Sequence, residues 1–328
     1  MTFRRRHFMQ GAAAGLALGT AGPFAWAQQD ETARVIIGFA PGGTIDLVAR
    51  RVADRMSPGY ARNVIVENKT GAGGQIAVQS VATAPADGTM VLLTPASPLA
   101  LHPHTFRKLP YDPVADLTPV SGAASFDYAL AVGPMVPASV RTVPEFLAWS
   151  RANAAQANFG SAGNGSAAHF MGAALARAGQ ADLRHVAFRG SQPAILDMIG
   201  GQLAAVIGPT GEFMPQVQGG RARLLGTSGP RRGRFSPEVP TFVEQGYRDL
   251  AVIGWFGYYL PARASQQAVQ RLNASLRQAL GAPELAEALA KSYMEPMSTS
   301  AAEMAALQKN ETEFWAGVAR SIGFSPSA

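Results

Sequence analysis

The 328-residue sequence predicts an α/β protein made of two α/β units with a cleft between them. Short β-rich runs alternate with longer helical patterns, the order that builds largely parallel sheets. Glycine-rich turns stand where a strand pattern gives way to a helical one, as in GFAPGGTIDLVAR at 38–50. The alternation pauses at a proline-rich passage, LHPHTFRKLPYDPVADLTPV at 101–120, and then resumes, so one unit closes before another begins.

The first unit reads as strand 35–39, helix 45–56, strand 64–67, helix 75–84 and strand 90–94, a βαβαβ arrangement. After the proline-rich passage come strand 128–132, helix 143–154, strand 158–159, helix 166–178, strand 184–187, helix 192–199, and strands 204–207 and 223–227. A β-rich run at 250–260, LAVIGWFGYYL, precedes helices near 266–280, 284–292 and 301–322. Helices alone cannot complete a parallel-sheet domain, so this tail is expected to return and cover the first unit. The chain would then cross between units twice, near 126–128 and 250–253.

The first residues direct the chain out of the cytoplasm. MTFRRRHFMQGAAAGLALGTAGPFAWA has a basic start, a short apolar run and Ala25-Trp26-Ala27 as a cleavage site, which reads as a signal peptide over 1–27. Arg5-Arg6-His7-Phe8 is also compatible with twin-arginine export, an ordinary secretory route being the alternative. The run from Gly11 to Ala27 is broken by glycines and Pro23 and is shorter than the roughly 20 apolar residues of a spanning helix. An oxidising destination permits disulfides, yet the chain has no cysteine, so its core alone must hold it. That absence also excludes thiol catalysis, thiolate metal sites and lipid attachment through a new N-terminal cysteine.

The formal charge of +6 includes Arg4, Arg5 and Arg6 and no acid from the signal, so the remaining chain stands near +3. Nucleic acid is not an expected partner. The one dense basic cluster, Arg231, Arg232 and Arg234 in GPRRGRFSPEVP, reads as a solvated loop.

Ligands of α/β folds lie beyond the carboxyl ends of strands, where backbone N–H groups and helix N-termini favour anions. Three turns have that form: Pro41-Gly42-Gly43-Thr44, Gly71-Ala72-Gly73-Gly74 and Gly160-Ser161-Ala162-Gly163-Asn164-Gly165-Ser166. Tight turning alone would also account for any single one of them. Asp46 is a first-turn acid that complements a helix dipole, holds the glycine loop or faces an amino group. A fourth turn, His185-Val186-Ala187-Phe188-Arg189-Gly190-Ser191, puts Arg189 at a strand end, where it binds a carboxylate or pairs with a neighbouring acid.

Cofactor chemistry finds no support in the motifs. G-x-x-x-x-G-K-[ST], a full G-x-G-x-x-G, G-x-S-x-G, S-x-x-K and H-E-x-x-H are all absent. Ser166 and His169 share a helix face, but a hydrolase would need an orienting acid and an oxyanion hole that the sequence does not identify. A capping Ser166 with a packed or ligand-facing His169 is the simpler reading. His102-Pro103-His104 is a weak metal signal without a third ligand and reads as a loop.

Taken in order, FAPGGTIDLVAR, VENKTGAGGQIA, PADGTMVLL, ADLTPV, FGSAGNGSAAHF, HVAFRGSQPAILDMIGGQLAAVIG, EVPTFVEQGY and WFGYYLPA resemble the Bug family, the extracytoplasmic receptors of tripartite tricarboxylate transporters. The resemblance spans nearly the whole chain after the signal. It implies a two-lobed, type II periplasmic-binding-protein-like fold closing over a small carboxylate, with contacts from backbone groups and ordered water. Carried over residue by residue, it implies Ala40, Gly42, Gly43 and Asp46 in the first loop and Gly73 and Gly74 in the second. Ser161, Gly163, Ser166 and His169 follow in the opposite lobe, with Phe188, Arg189 and Gly190 in the last loop. Phe188 departs from the family's usual tyrosine, which suits a less polar or partly aromatic carboxylate.

The expected protein is therefore a periplasmic, monomeric, non-enzymatic receptor with no cofactor and no metal, serving a membrane permease or a sensor. Its first domain would run over 31–126 with 251–328, and its second over 127–250. The alternatives are a partner-binding homologue with an altered cleft and a hydrolase using Ser166 and His169.

Overall fold

The computed structural model describes residues 32–57 and 59–324, so the signal-peptide reading of 1–27 lies outside the described residues. Strand β1 (Thr32–Ile37) leads into α1 (Thr44–Met56), β2 (Asn63–Asn68), α2 (Gln75–Ala82) and β3 (Met90–Pro95), with β1 paired in parallel to both β2 and β3. Helix α1 turns Ile45, Val48, Ala49, Val52, Ala53 and Met56 into the core, the spacing of one helical face. Burying each of the larger aliphatic side chains is worth about 1.5–3 kcal/mol, which lets a chain without disulfides hold its shape.

The pair His102 and His104, expected in a loop, belongs instead to a π-turn over Ser97–Leu101 and the short helix α3 (His102–Thr105). Its residues Leu99, Ala100, Leu101 and His102 are wholly buried, which a solvated loop would not allow. Strand β4 (Leu117–Val132) is also much longer than the 128–132 run legible in the sequence. Proline, glycine and small residues at 119–124 obscured its first half, and the register slips there, between Pro119 and Ser121 and again between Gly122 and Ala124.

The second half contains α4 (Val143–Ala152), β5 (Asn158–Ser161), α5 (Ala167–Ala178), β6 (Arg184–Ala187), α6 (Ser191–Ile199), β7 (Ala205–Pro209), α7 (Thr210–Gln218) and β8 (Arg223–Thr227). Helix α4 opens with a reciprocal capping box between Thr142 and Glu145. Helix α7 does not register as a helical pattern in the sequence because Pro215 lies inside it and Gly211 in its first turn.

Strand β9 (Ile253–Pro261), α8 (Gln266–Leu280), α9 (Pro283–Ala290), the two-residue strand β10 (Glu295–Pro296) and α10 (Ala301–Ser321) complete the described chain. Strands run in the order β2-β1-β3-β9-β4-β7-β5-β6, with β8 and β10 also paired to β4. From Leu117 to Asp127, β4 pairs antiparallel with β9; from Tyr128 to Val132 it pairs with β7 and β8. This long strand therefore joins two α/β halves. The tail does pack on the first half, α8 against α1 and α10 against the π-turn, but it goes further. Phe170 of α5 stacks near Phe324 and meets Trp315 edge-on, so α10 touches both halves. Among the described residues no helix is long and apolar enough to cross a membrane.

Candidate functional site

The expected loops meet at the line where the two halves face one another. At the end of β1, Asp46 is buried and fully engaged: Gly42 N donates to its Oδ2 at 3.1 Å, Arg50 donates to both oxygens at 3.0 Å, and Asn68 Nδ2 donates to Oδ1 at 3.0 Å. Burial alone would raise this carboxyl, but the bonds from Arg50, Asn68 and Gly42 outweigh it and hold the group below the usual carboxylate range. Asn68 also donates to Phe39 O, tying the loop to β2. Asp46 thus shapes the glycine loop and does not line the cavity described below.

The second loop has positive φ at Gly71, Ala72, Gly73 and Gly74, an arrangement few sequences without glycine could hold. Gly73 (φ +65°) is one place where the halves approach closely: a Cβ there would stand 3.2 Å from Asn164 O, and one on Gly163 would stand 3.3 Å from Gly73 Cα. Ala167 N at the start of α5 donates to Ser97 Oγ at 3.0 Å, and Thr44 N and Oγ1 donate to Glu212 Oε1 at 2.9 and 2.8 Å. The halves are closed on each other.

Inside the closure is a cavity of about 70 Å³. At about 10–15 Å³ per water it has room for about five, the scale of a small metabolite. Four helices begin at its wall: α1 at Gly43 and Thr44, α5 at Ser166 and Ala167, α6 at Gly190 and Ser191, and α7 at Pro209. Only α5 has a side-chain N-cap, from Ser166 to His169 N at 3.1 Å; α1, α6 and α7 have none. Thr44 N of α1 and Ala167 N of α5 are already bonded, to Glu212 and Ser97, so the first turns of α6 and α7 are the ones without a side-chain acceptor. The partial positive charges of all four helix starts border the cavity, which favours an anion. The rest of the lining is mostly apolar, including Phe39, Phe126, Tyr128 and Phe256.

Of the anticipated residues, Ala40, Gly43, Gly73, Ser166 and Gly190 line this cavity. Gly73, Gly163, Phe188 and Arg189 line a second, outer cavity of about 470 Å³, which shares Phe39, Gly73 and Ala162 with the inner one. Arg189 is exposed there, and Phe188 packs beside Gly160. Gly42, Asp46, Gly74, Ser161 and His169 line neither cavity.

Ser161 and His169 belong to a packed polar network. Ser161 Oγ lies 2.7 Å from His185 Nε2 and 3.2 Å from Ser166 Oγ, and it is wholly buried. The His169 ring stacks on His185 at 3.8 Å and accepts from Gly165 N through Nδ1 at 3.2 Å. Burial lowers His169 to about 4, and burial with the neighbouring His169 lowers His185 to about 3, so both rings are neutral at pH 7. Ser166 Oγ accepts from the backbone N of His169, an N-cap bond, while the imidazole bonds elsewhere.

Glu212 is the residue that sequence reasoning missed. It lines the inner cavity from the first turn of α7, and burial raises its carboxyl above the ordinary value, against the opposing pull of Thr44, Ser191 and Gln192. Ser191 and Gln192 lie near it, but neither closes a hydrogen bond on Oε2, which is buried and unpartnered. The available signal was an acid directly after a strand-ending Gly-Pro-Thr-Gly, a fifth turn of the same kind. The aromatic lining from Phe126 and Tyr128 was likewise missed, in a stretch read as a crossing and as the start of strand 128–132.

The model of the tripartite tricarboxylate transporter family receptor matches residues 48–324. A protein from the tcbD-tcbE intergenic region of Pseudomonas sp. strain P51 is 33% identical over 283 residues, covering 85% of this chain and 83% of that one. The solved periplasmic binding protein BugD is 27% identical with a TM-score of 0.85, covering 90% of this chain and 99% of that one. A solved R. palustris protein with adipate is 26% identical, also at 0.85, covering 92% and 100%. The chain belongs to the tripartite tricarboxylate transporter receptors, the Bug family of periplasmic solute-binding proteins.

Proposed function

We propose that the protein is a periplasmic receptor that closes two lobes over a small carboxylated metabolite and presents it to a tripartite tricarboxylate-type permease. The observation that carries this reading is the convergence of the α1, α5, α6 and α7 N-termini on a cavity between the halves that no lysine, arginine or histidine lines. A carboxylate there accepts from backbone N–H groups, each charge-assisted bond being worth about 1.5–3 kcal/mol. The adipate-bound relative supports the carboxylate class.

The lobes are 31–126 with 251–328, and 127–250, hinged where β4 changes partners at Asp127 and Tyr128. Ala40, Gly42, Gly43, Gly73, Gly74, Ser161, Gly163 and Ser166 shape or supply the binding loops. Asp46 and His169 hold them, and Gly190 starts α6. Phe188 and Arg189 act at the mouth. Residues 1–27 export the protein and are cleaved. Ser166 serves as a cap and not as a nucleophile, because the His169 ring is engaged with Gly165 and His185.

A thermal-shift screen tests the reading. The protein, unfolded and refolded to strip any resident molecule, is challenged with aliphatic and aromatic carboxylates and with ester and amide substrates. A bound ligand at 100 times its Kd adds about 2.7 kcal/mol, a rise of a few degrees. Selective shifts by carboxylates, recovered unchanged, support the receptor; turnover of esters or amides, or a flat carboxylate panel, contradicts it.

A further inference from the structure

The helix N-termini around the inner cavity favour negative charge, yet a carboxylate of the protein already stands among them. Glu212 is the sole acid among the lining residues, and no basic side chain joins it. Its Oε1 is occupied by Thr44 N and Oγ1, which fixes the group; its Oε2 is buried and accepts nothing. A buried acceptor left unmade is costly, so a bound molecule that supplies a donor gains from it. The same cavity is lined by aromatic rings, Phe126 lying edge-on to Tyr128 at 5.2 Å and tilted against Phe256 at 4.6 Å. Ring faces and a free carboxylate oxygen together complement a compact cation bearing N–H groups. They disfavour a second carboxylate at that end of the cavity, because two like charges would be buried together.

Resting on the receptor reading above, we infer that the inner cavity contains an ammonium subsite. The ligand is an amino carboxylate whose carboxylate meets the helix N-termini and whose protonated amine donates to Glu212 Oε2 among the aromatic rings. Glu212 is the residue that selects a zwitterion over a plain mono- or dicarboxylate.

Isothermal titration of the purified, refolded protein with matched probes decides this. The panel pairs butyrate with 4-aminobutyrate, pentanoate with 5-aminopentanoate, and succinate and adipate with the corresponding α-amino diacids; butylamine tests the amine alone. The wild type is expected to bind at least one amino-bearing probe tenfold or more tighter than its amine-free partner. Glu212→Gln, whose amide carbonyl can still accept from Thr44, is expected to erase that preference, the amino-bearing probe losing tenfold or more while succinate and adipate bind tighter than to wild type. If amine-free carboxylates bind best and Glu212→Gln leaves every ratio unchanged, the subsite is overturned and the carboxylate receptor stands. Binding of butylamine without any carboxylate binder overturns the carboxylate reading and keeps the Glu212 assignment. No binding by any probe overturns both.

Discussion

Asp46 in the first turn of α1 and Glu212 in the first turn of α7 stand in helices that meet at the same cleft, yet their surroundings differ completely. Asp46 has each oxygen bonded, to Arg50, Asn68 and Gly42 from its own lobe, and its carboxyl is held low. Glu212 reaches across the cleft to Thr44 with one oxygen, keeps the other unmade, and is pushed up by burial. An acid that complements a helix dipole can therefore be spent on the scaffold or left available to a ligand. Sequence position does not separate the two; the count of partners does.

Removing each acid should break the comparison in opposite ways. Asp46→Ala strips the loop of its anchor and leaves Arg50 with Asn68 Oδ1 and Asn68 with Phe39 O, at a cost of about 2–3 kcal/mol by urea denaturation. Arg50 is half-exposed, which keeps the loss below the 3–5 kcal/mol typical of fully buried pairs. A change under about 0.5 kcal/mol would mean that the loop holds itself.

Gly73→Ala puts a side chain into a positive-φ position that also faces Asn164 O across the closure. About 1–2 kcal/mol of stability should be lost in the closed form, and ligand affinity should fall at least tenfold by titration. Undiminished affinity would show that Gly73 is not where the lobes meet when a ligand is held.

Glu212→Gln should have a smaller and pH-signed effect. The folded-state pKa is raised above the unfolded 4.5, so the stability this group contributes is complete below pH 4.5 and is lost as pH rises. The melting temperature of the variant should therefore gain on wild type by about 1–3 °C between pH 4.5 and 7 without ligand. A difference that is flat or shrinks with pH would contradict a carboxylate destabilised by burial. Smallest of all, Arg189→Ala on the exposed outer groove should move stability by less than about 0.5 kcal/mol and small-carboxylate affinity by less than about threefold. A tenfold loss would bring Arg189 into the inner site.

The α/β alternation, the glycine turns and the family resemblance were legible because each rests on local pattern: strand runs, helix periods and residues that tolerate positive φ. The first half of β4 was not, since Pro119, Gly122 and the small residues around them conceal a strand whose partner, β9, lies more than a hundred residues away. Helix α7 was hidden by Pro215, and with it Glu212. Arg189 shows the converse. A strand-end arginine is a natural carboxylate ligand by type, but only the closed geometry shows that it lines the outer cavity while four helix N-termini border the inner one. Asp46, open to three readings in the sequence, is resolved by Asn68 and Gly42, partners that spacing alone does not reveal.

The most direct measurement of the central claim is the crystal structure of the protein with a carboxylate selected by the thermal-shift screen. The account predicts ligand density in the inner cavity, with carboxylate oxygens about 2.7–3.2 Å from first-turn backbone N–H groups of at least two among α1, α5, α6 and α7. A ligand seated solely in the outer groove against Arg189, with the inner cavity holding water alone, would contradict it.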